Sequence, residues 1–157
     1  MKIEQIYTGC LAQGAYYIVS ENEAAIIDPL RETKPYMERL QKDGVKLKYI
    51  FETHFHADFV FGNVDLSKKN DTKIIYKTTA DPGFEAIIAE DGQIFEIGKI
   101  KIKVLHNPSH TMKNSTYLLL DEDGKETAIF SGDTFFLVYF GRPDLAQKAA
   151  HMTQEEL

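Results

Sequence analysis

Residues 53–59 read Thr53-His54-Phe55-His56-Ala57-Asp58-Phe59, directly after the apolar run Tyr49-Ile50-Phe51. Two imidazoles and a carboxylate fall at alternate positions immediately past a strand. A buried strand that ends in such a cluster can aim several hard or borderline donors at one point, which is how a metal site is built. By itself His-x-His-x-Asp is a weak signal, because a satisfied surface histidine is commoner. The pattern gains weight only from what accompanies it elsewhere in the chain.

Two more loops accompany it, each after a predicted strand. His106-Asn107-Pro108-Ser109-His110-Thr111 follows Ile100–Leu105, and Ser131-Gly132-Asp133-Thr134 follows Ala128–Phe130. Four of the five histidines lie in the first two loops, with only His151 elsewhere. His106 continues an apolar strand and reads as a structural hydrogen-bonder. His110, past a proline turn, is freer to point into a site. Asp133 alone would read as a turn residue. Loops at strand ends are where rigid scaffolds place catalytic groups, so the three together favour a metal centre.

Working outward, the N-terminal third alternates strands and turns. Ile3, Ile6 and Tyr7 mark one strand, Ala15–Ser20 a second and Ala24–Asp28 a third, with Glu21-Asn22-Glu23 as a turn and Pro29 closing the last. Thr33 offers an N-cap, Pro35 suits a first turn, Tyr36, Met37 and Leu40 form an apolar stripe, and Gly44 is a stop. The spacing predicts a helix over 34–43. Val45–Glu52 is the strand feeding the histidines, and Phe59–Asn70 reads as a second helix with Lys68 and Lys69 at its C-terminal end. Lys73–Tyr76 is a strand, and Asp81 is placed to cap a short helix through Ala89. Gln93–Ile97 and Ile100–His106 form a hairpin by period-2 alternation, and Thr116–Leu120 and Thr127–Ser131 flank the acidic turn 121–124. Strands in series with helices inserted predict an α/β layered sandwich.

At 157 residues the chain is one domain by length, with 43% hydrophobic and 27% charged residues. Its net charge of −6 argues against a nucleic-acid or anionic-membrane partner. No apolar stretch approaches the roughly 20 residues of a membrane span. Cys10 is the only cysteine, so a disulfide framework is excluded and a reducing cytoplasm fits. Between Gly9 and Leu11, before an aromatic strand, Cys10 reads as half-buried and structural. The stretch Asp144–Leu157 is helix-prone, and a new element opens at Thr153, so the chain reads as the front portion of something longer.

The sequence resembles the metallo-β-lactamase fold, and more narrowly its persulfide dioxygenase-like branch, which is often fused to rhodanese domains. The resemblance rests on 9–18 (GCLAQGAYYI), 25–31 (AIIDPLR), 52–60 (ETHFHADFV), 108–112 (PSHTM), 130–134 (FSGDT) and 141–146 (GRPDLA). It implies an αββα sandwich of α+β type, incomplete towards its C-terminus. It also implies one Fe(II) per chain, with Zn(II) as the alternative, held by His54, His110 and Asp133, with His56 as a further ligand or neighbour. Two imidazoles and one carboxylate leave positions open for dioxygen and a substrate sulfur. The implied reaction is oxidation of a low-molecular-weight thiol persulfide, such as glutathione persulfide, to sulfite.

Phe59 stands where a two-metal version of the motif carries another histidine, and it has no donor atom. Asp58 is then assigned to orienting a ligand histidine or to accepting a proton near the substrate, with a cap on the following helix as the alternative. Arg142 and Asp144 match a Gly-Arg-x-Asp element and read as a structural ion pair. The chain also departs from the pattern. Phe61-Gly62-Asn63 replaces Ser-Gly-His, Ser109 replaces a glycine, and Val138-Tyr139-Phe140-Gly141 replaces Gly-Asp-Val-Gly, which adds bulk near the expected pocket. The alternatives are a metal-dependent thioester hydrolase of the same fold and a non-catalytic module. Oligomerisation stays open, because nothing in the chain identifies an interface.

Overall fold

A computed structural model describes residues 1–8, 13–53, 62–76, 86–106 and 115–132. Two sheets face each other. The first has the order β1-β2-β3-β4-β5-β6 and contains β1 (Lys2–Thr8), β2 (Gln13–Ser20), β3 (Glu23–Ile27), β4 (Lys46–Phe51), β5 (Lys73–Tyr76) and β6 (Ala86–Ile88). The second has the order β10-β9-β8-β7 and contains β7 (Ile94–Ile97), β8 (Ile100–His106), β9 (Ser115–Leu120) and β10 (Glu126–Phe130). The first sheet is antiparallel through β1-β2-β3 and parallel from β3 to β6. The second is antiparallel throughout.

The period-2 alternation of strand side chains sorts the core into two layers. Ala25, Ile27, Phe51 and Ile75 point between the sheets, where they meet Phe95, Ile102, Val104, Tyr117 and Leu119. Their neighbours Ala24, Ile26, Ile50 and Ile74 point outward and are covered by Tyr36, Leu40 and Leu66. Those three come from helices α1 (Lys34–Asp43) and α2 (Gly62–Asn70), so both described helices lie on the outer face of the larger sheet. The central strands are buried on both sides and read as continuous apolar runs, as parallel strands under helices do. Phe51 anchors the inter-sheet layer, with ring centroids 5.6 Å from Phe95 and 4.9 Å from Tyr117. No described helix is long and apolar enough to cross a membrane.

Most of the predicted elements are present. The first helix has the predicted bounds, and Gly44 ends it in the left-handed conformation at φ 63°. Two expectations are corrected. Thr33 makes no side-chain cap on α1; its hydroxyl accepts from Lys69 Nζ at 3.0 Å and so ties α1 to α2. Ala86–Ile88, expected within a helix capped by Asp81, is a strand paired in parallel with β5, Ile75 opposite Ile87. A three-residue apolar run carries no period of its own, so the open edge of β5 decides its conformation. The second predicted helix is described from Gly62 onward. Cys10, Arg142, Asp144 and the segment 144–157 lie outside the described residues.

The two ends of the sandwich differ. At one, the β7–β8 turn docks on the β2–β3 turn: Gly98 N donates to Glu23 Oε2 at 2.7 Å and Lys99 N to Ser20 Oγ at 3.1 Å. Alongside, β1 is tied to α1 by Arg39 Nη2 on Glu4 Oε1 at 2.6 Å and Lys2 Nζ on Asp43 Oδ2 at 2.8 Å. At the other end the strands release the three loops that carry the histidines and Asp133.

Candidate metal centre

The site is built on strand ends. β3 passes through Ile27 into Asp28, a non-glycine residue at φ 49°, and Pro29 prevents the strand from continuing. The Asp28 N–H donates to Phe51 O at 2.9 Å. Its carboxylate accepts the Thr53 N–H at 2.7 Å and the Thr53 hydroxyl at 2.6 Å. Thr53 is 1% exposed and Asp28 5%, so this clamp is shielded from water and tightens accordingly. It fixes the backbone one residue before His54.

The second and third loops start from the same place. Ser115, the first residue of β9, donates its N–H to Thr53 O at 2.7 Å. Ser115 also pairs with His106, the last residue of β8, so the segment 107–114 leaves and rejoins the fold beside Thr53. The Tyr117 hydroxyl donates to Glu52 O at 2.7 Å. Phe130, the last residue of β10, lies opposite Tyr117 in the ladder, and Ser131 and Gly132 follow it. One hydrogen-bonded knot, Asp28–Thr53–Ser115 with Glu52 and Tyr117 beside it, therefore sits at the root of all three loops.

The knot is electrostatically tense. Burial pushes the Glu52 carboxyl well above the ordinary range, the Asp28 charge adds to the rise, and the polar Asn63 side chain opposes it. Burial also pushes the Tyr117 hydroxyl up, with Asp28 and Glu52 adding their charge. The Tyr36 hydroxyl is raised by burial as well, and it accepts the Leu30 N–H at 2.8 Å, holding the chain just past Asp28. The His106 backbone N–H donates to Asp91 Oδ1 at 2.9 Å, which fixes the end of β8.

His54, His56, Asp58, Phe59, His110 and Asp133 lie outside the described residues. Among the described residues no group of three or more His, Cys, Asp or Glu could hold a metal ion. The structure thus brings together the roots of the loops in which the sequence places the expected ligands. Sequence reading took Asp28 for a strand residue and Glu52 for the last residue of β4, and so missed both as site builders. The available signal was a charged side chain at the end of each apolar strand, where burial demands a partner.

A family model of the metallo-beta-lactamase superfamily matches residues 8–156. This chain belongs to that superfamily. Hydroxyacylglutathione hydrolase of Pelagibacter ubique is 32% identical over 139 residues, which cover 85% of this chain and 56% of the relative. The cytoplasmic hydroxyacylglutathione hydrolase of Arabidopsis thaliana is 29% identical over 147 residues, 90% of this chain and 56% of the relative. Among solved structures, a metallo-beta-lactamase from Staphylococcus aureus superposes with a TM-score of 0.82 at 33% identity, over 93% of this chain and 47% of its own. ETHE1 from Myxococcus xanthus gives a TM-score of 0.78 at 23% identity, over 90% of this chain and 61% of its own, a likeness of fold. The chain spans about half the length of the hydroxyacylglutathione hydrolases it matches.

The superfamily implies a metal, and the donor set fits one by chemistry. Imidazole and carboxylate suit zinc and ferrous iron alike. The residues next to the proposed ligands are held by buried hydrogen bonds, as a preorganised site requires.

Proposed function

We propose that this chain carries the metal centre of an enzyme acting at the sulfur of a low-molecular-weight thiol derivative, with His54, His56, His110 and Asp133 as ligands and Asp58 beside them. The observation that carries this reading is the Ser115–Thr53 hydrogen bond of 2.7 Å, which joins the roots of the two histidine loops. Zinc or iron there would supply Lewis acidity or a binding place for dioxygen. The chain's own residues hold the loops and exclude water from their base.

Hydrolysis of a glutathione thioester is the first reading, because relatives at 30% identity and above carry the name hydroxyacylglutathione hydrolase. A second reading is oxidation of a thiol persulfide by a single iron, with dioxygen as co-substrate. A specific residue favours it: Phe59 offers no donor where a second metal would need one. A rhodanese domain, fused or as partner, belongs to the second reading.

Metal analysis of protein purified without chelator, paired with two assays, separates the readings. Zinc with cleavage of a glutathione thioester supports the first. About one iron per chain with oxygen uptake on adding glutathione persulfide supports the second. Protein that takes up neither metal would refute both.

A further inference from the structure

Among the described strands, the sheet edges are blunted everywhere except at β1. β6 has three residues and β7 four, and β10 carries a register shift between Glu126 and Ala128. Short or bulged edges of this kind resist the addition of another strand. β1 runs for seven residues in unbroken register with β2, and among the described strands β2 is its only neighbour. Its two faces also differ. Lys2 and Glu4 turn towards α1, where Lys2 Nζ is held by Asp43 Oδ2 at 2.8 Å and Glu4 Oε1 by Arg39 Nη2 at 2.6 Å. Met1 and Ile3 turn the other way by the strand period. On that side β10 lies under β2, with the Tyr16 and Phe130 ring centroids 4.8 Å apart. β1 therefore projects past the second sheet, and Met1 is 60% and Ile3 39% exposed. One charge of each sign, anchored on either side of an exposed isoleucine, is self-complementary under a two-fold axis.

We propose that the free edge of β1 is an interface between two copies of this chain, which pair antiparallel about a two-fold axis at Ile3. In that register Ile3 lies against the partner's Ile3, Lys2 opposite the partner's Glu4, and Glu4 opposite the partner's Lys2. Unlike charges and an aliphatic pair then reinforce the main-chain hydrogen bonds of the added strand, and Met1 and Ile3 are covered. A register centred on Gln5 would instead set Glu4 opposite Ile6 and Lys2 opposite Thr8, leaving the charges unmatched. Because the overlap covers only residues 1–5 of each copy, the interface is small and the dimer reversible. The pairing does not depend on the metal reading, since it draws on no residue of the three loops.

The test is sedimentation velocity on the full chain across the micromolar range, with melting temperature as the check on folding. The wild type shows a monomer–dimer equilibrium. Ile3→Lys sets two lysines face to face at the axis, and Lys2→Glu sets glutamate opposite glutamate twice. Each weakens the dimer by about tenfold or more. Glu4→Lys alone weakens it in the same way, with lysine opposite lysine. An equimolar mixture of Lys2→Glu and Glu4→Lys chains restores the dimer, because every opposed pair in the mixed dimer again joins unlike charges. Should Glu4→Lys fail to fold for want of the Arg39 contact, Ile3→Lys and Lys2→Glu carry the test. A wild type that stays monomeric throughout overturns the proposal, as does a dimer that neither of these two variants weakens. Folded Lys2→Glu and Glu4→Lys chains that fail to pair with each other overturn it too.

Discussion

Removing the Asp28 carboxylate is the sharpest perturbation of this fold. Asp28 accepts two short hydrogen bonds from Thr53, at 2.7 Å from the N–H and 2.6 Å from the hydroxyl. Hydrogen bonds to a charged group contribute about 1.5–3 kcal/mol each, and both Thr53 donors would be left buried. A β-carbon without a polar side chain at φ 49° adds about 1 kcal/mol of left-handed strain. One term opposes these: the Asp28 charge helps to hold the Glu52 carboxyl up, and its removal relieves that repulsion. Asp28→Ala should therefore cost about 3–5 kcal/mol, a large share of the roughly 5–15 kcal/mol that holds a typical domain together. Asp28→Gly loses the same bonds without the strain and should cost about 1 kcal/mol less. Asp28→Asn keeps one acceptor and should cost about 1–2 kcal/mol. Urea denaturation in the presence of chelator measures all three without metal linkage. A cost below about 1 kcal/mol for Asp28→Ala, or an Asp28→Gly variant less stable than Asp28→Ala, would refute the clamp.

The other predictions follow from single contacts. Tyr117→Phe removes the 2.7 Å bond to Glu52 O and should cost about 1–2 kcal/mol by the same denaturation assay. Gly98→Ala places a Cβ 2.4 Å from Ser20 O at φ +55°, so the melting temperature should fall by several degrees, and a variant melting with the wild type would contradict the turn-on-turn docking. Arg39 holds the Glu4 carboxyl below its ordinary value of 4.5, so the stability from this pair is present above that pH and lost as pH falls through the depressed value. Glu4→Gln should accordingly flatten the acid limb of the stability profile while leaving neutral-pH metal content unchanged. His110→Ala should abolish metal binding and His106→Ala should not; equal losses, measured by metal analysis, would reassign the second loop.

The architecture was legible where local chemistry acts alone. Alternating residues, paired turn residues and the Thr33–Gly44 bracket located the strands and α1, because strand faces and helix stops depend on near neighbours. The same reasoning failed at Ala86–Ile88 and at Thr33. In one case the edge of β5 accepts a short run as a strand; in the other Lys69 captures the hydroxyl expected to cap α1. Both outcomes depend on segments distant in sequence.

For the site, the division is of the same kind. By itself the sequence determined the kinds of donor available, their place in three loops after three strands, and the absence of a donor atom at Phe59, since these are properties of residue type and order. Only the tertiary structure decided that the loops share one root. The Thr53–Ser115 and Glu52–Tyr117 bonds join residues more than 60 positions apart. Asp28 and Glu52 become site builders for the same reason. A carboxylate at a strand end is unremarkable in sequence, and it acquires a role only when burial removes its water and, at Asp28, leaves Thr53 as the partner it must have.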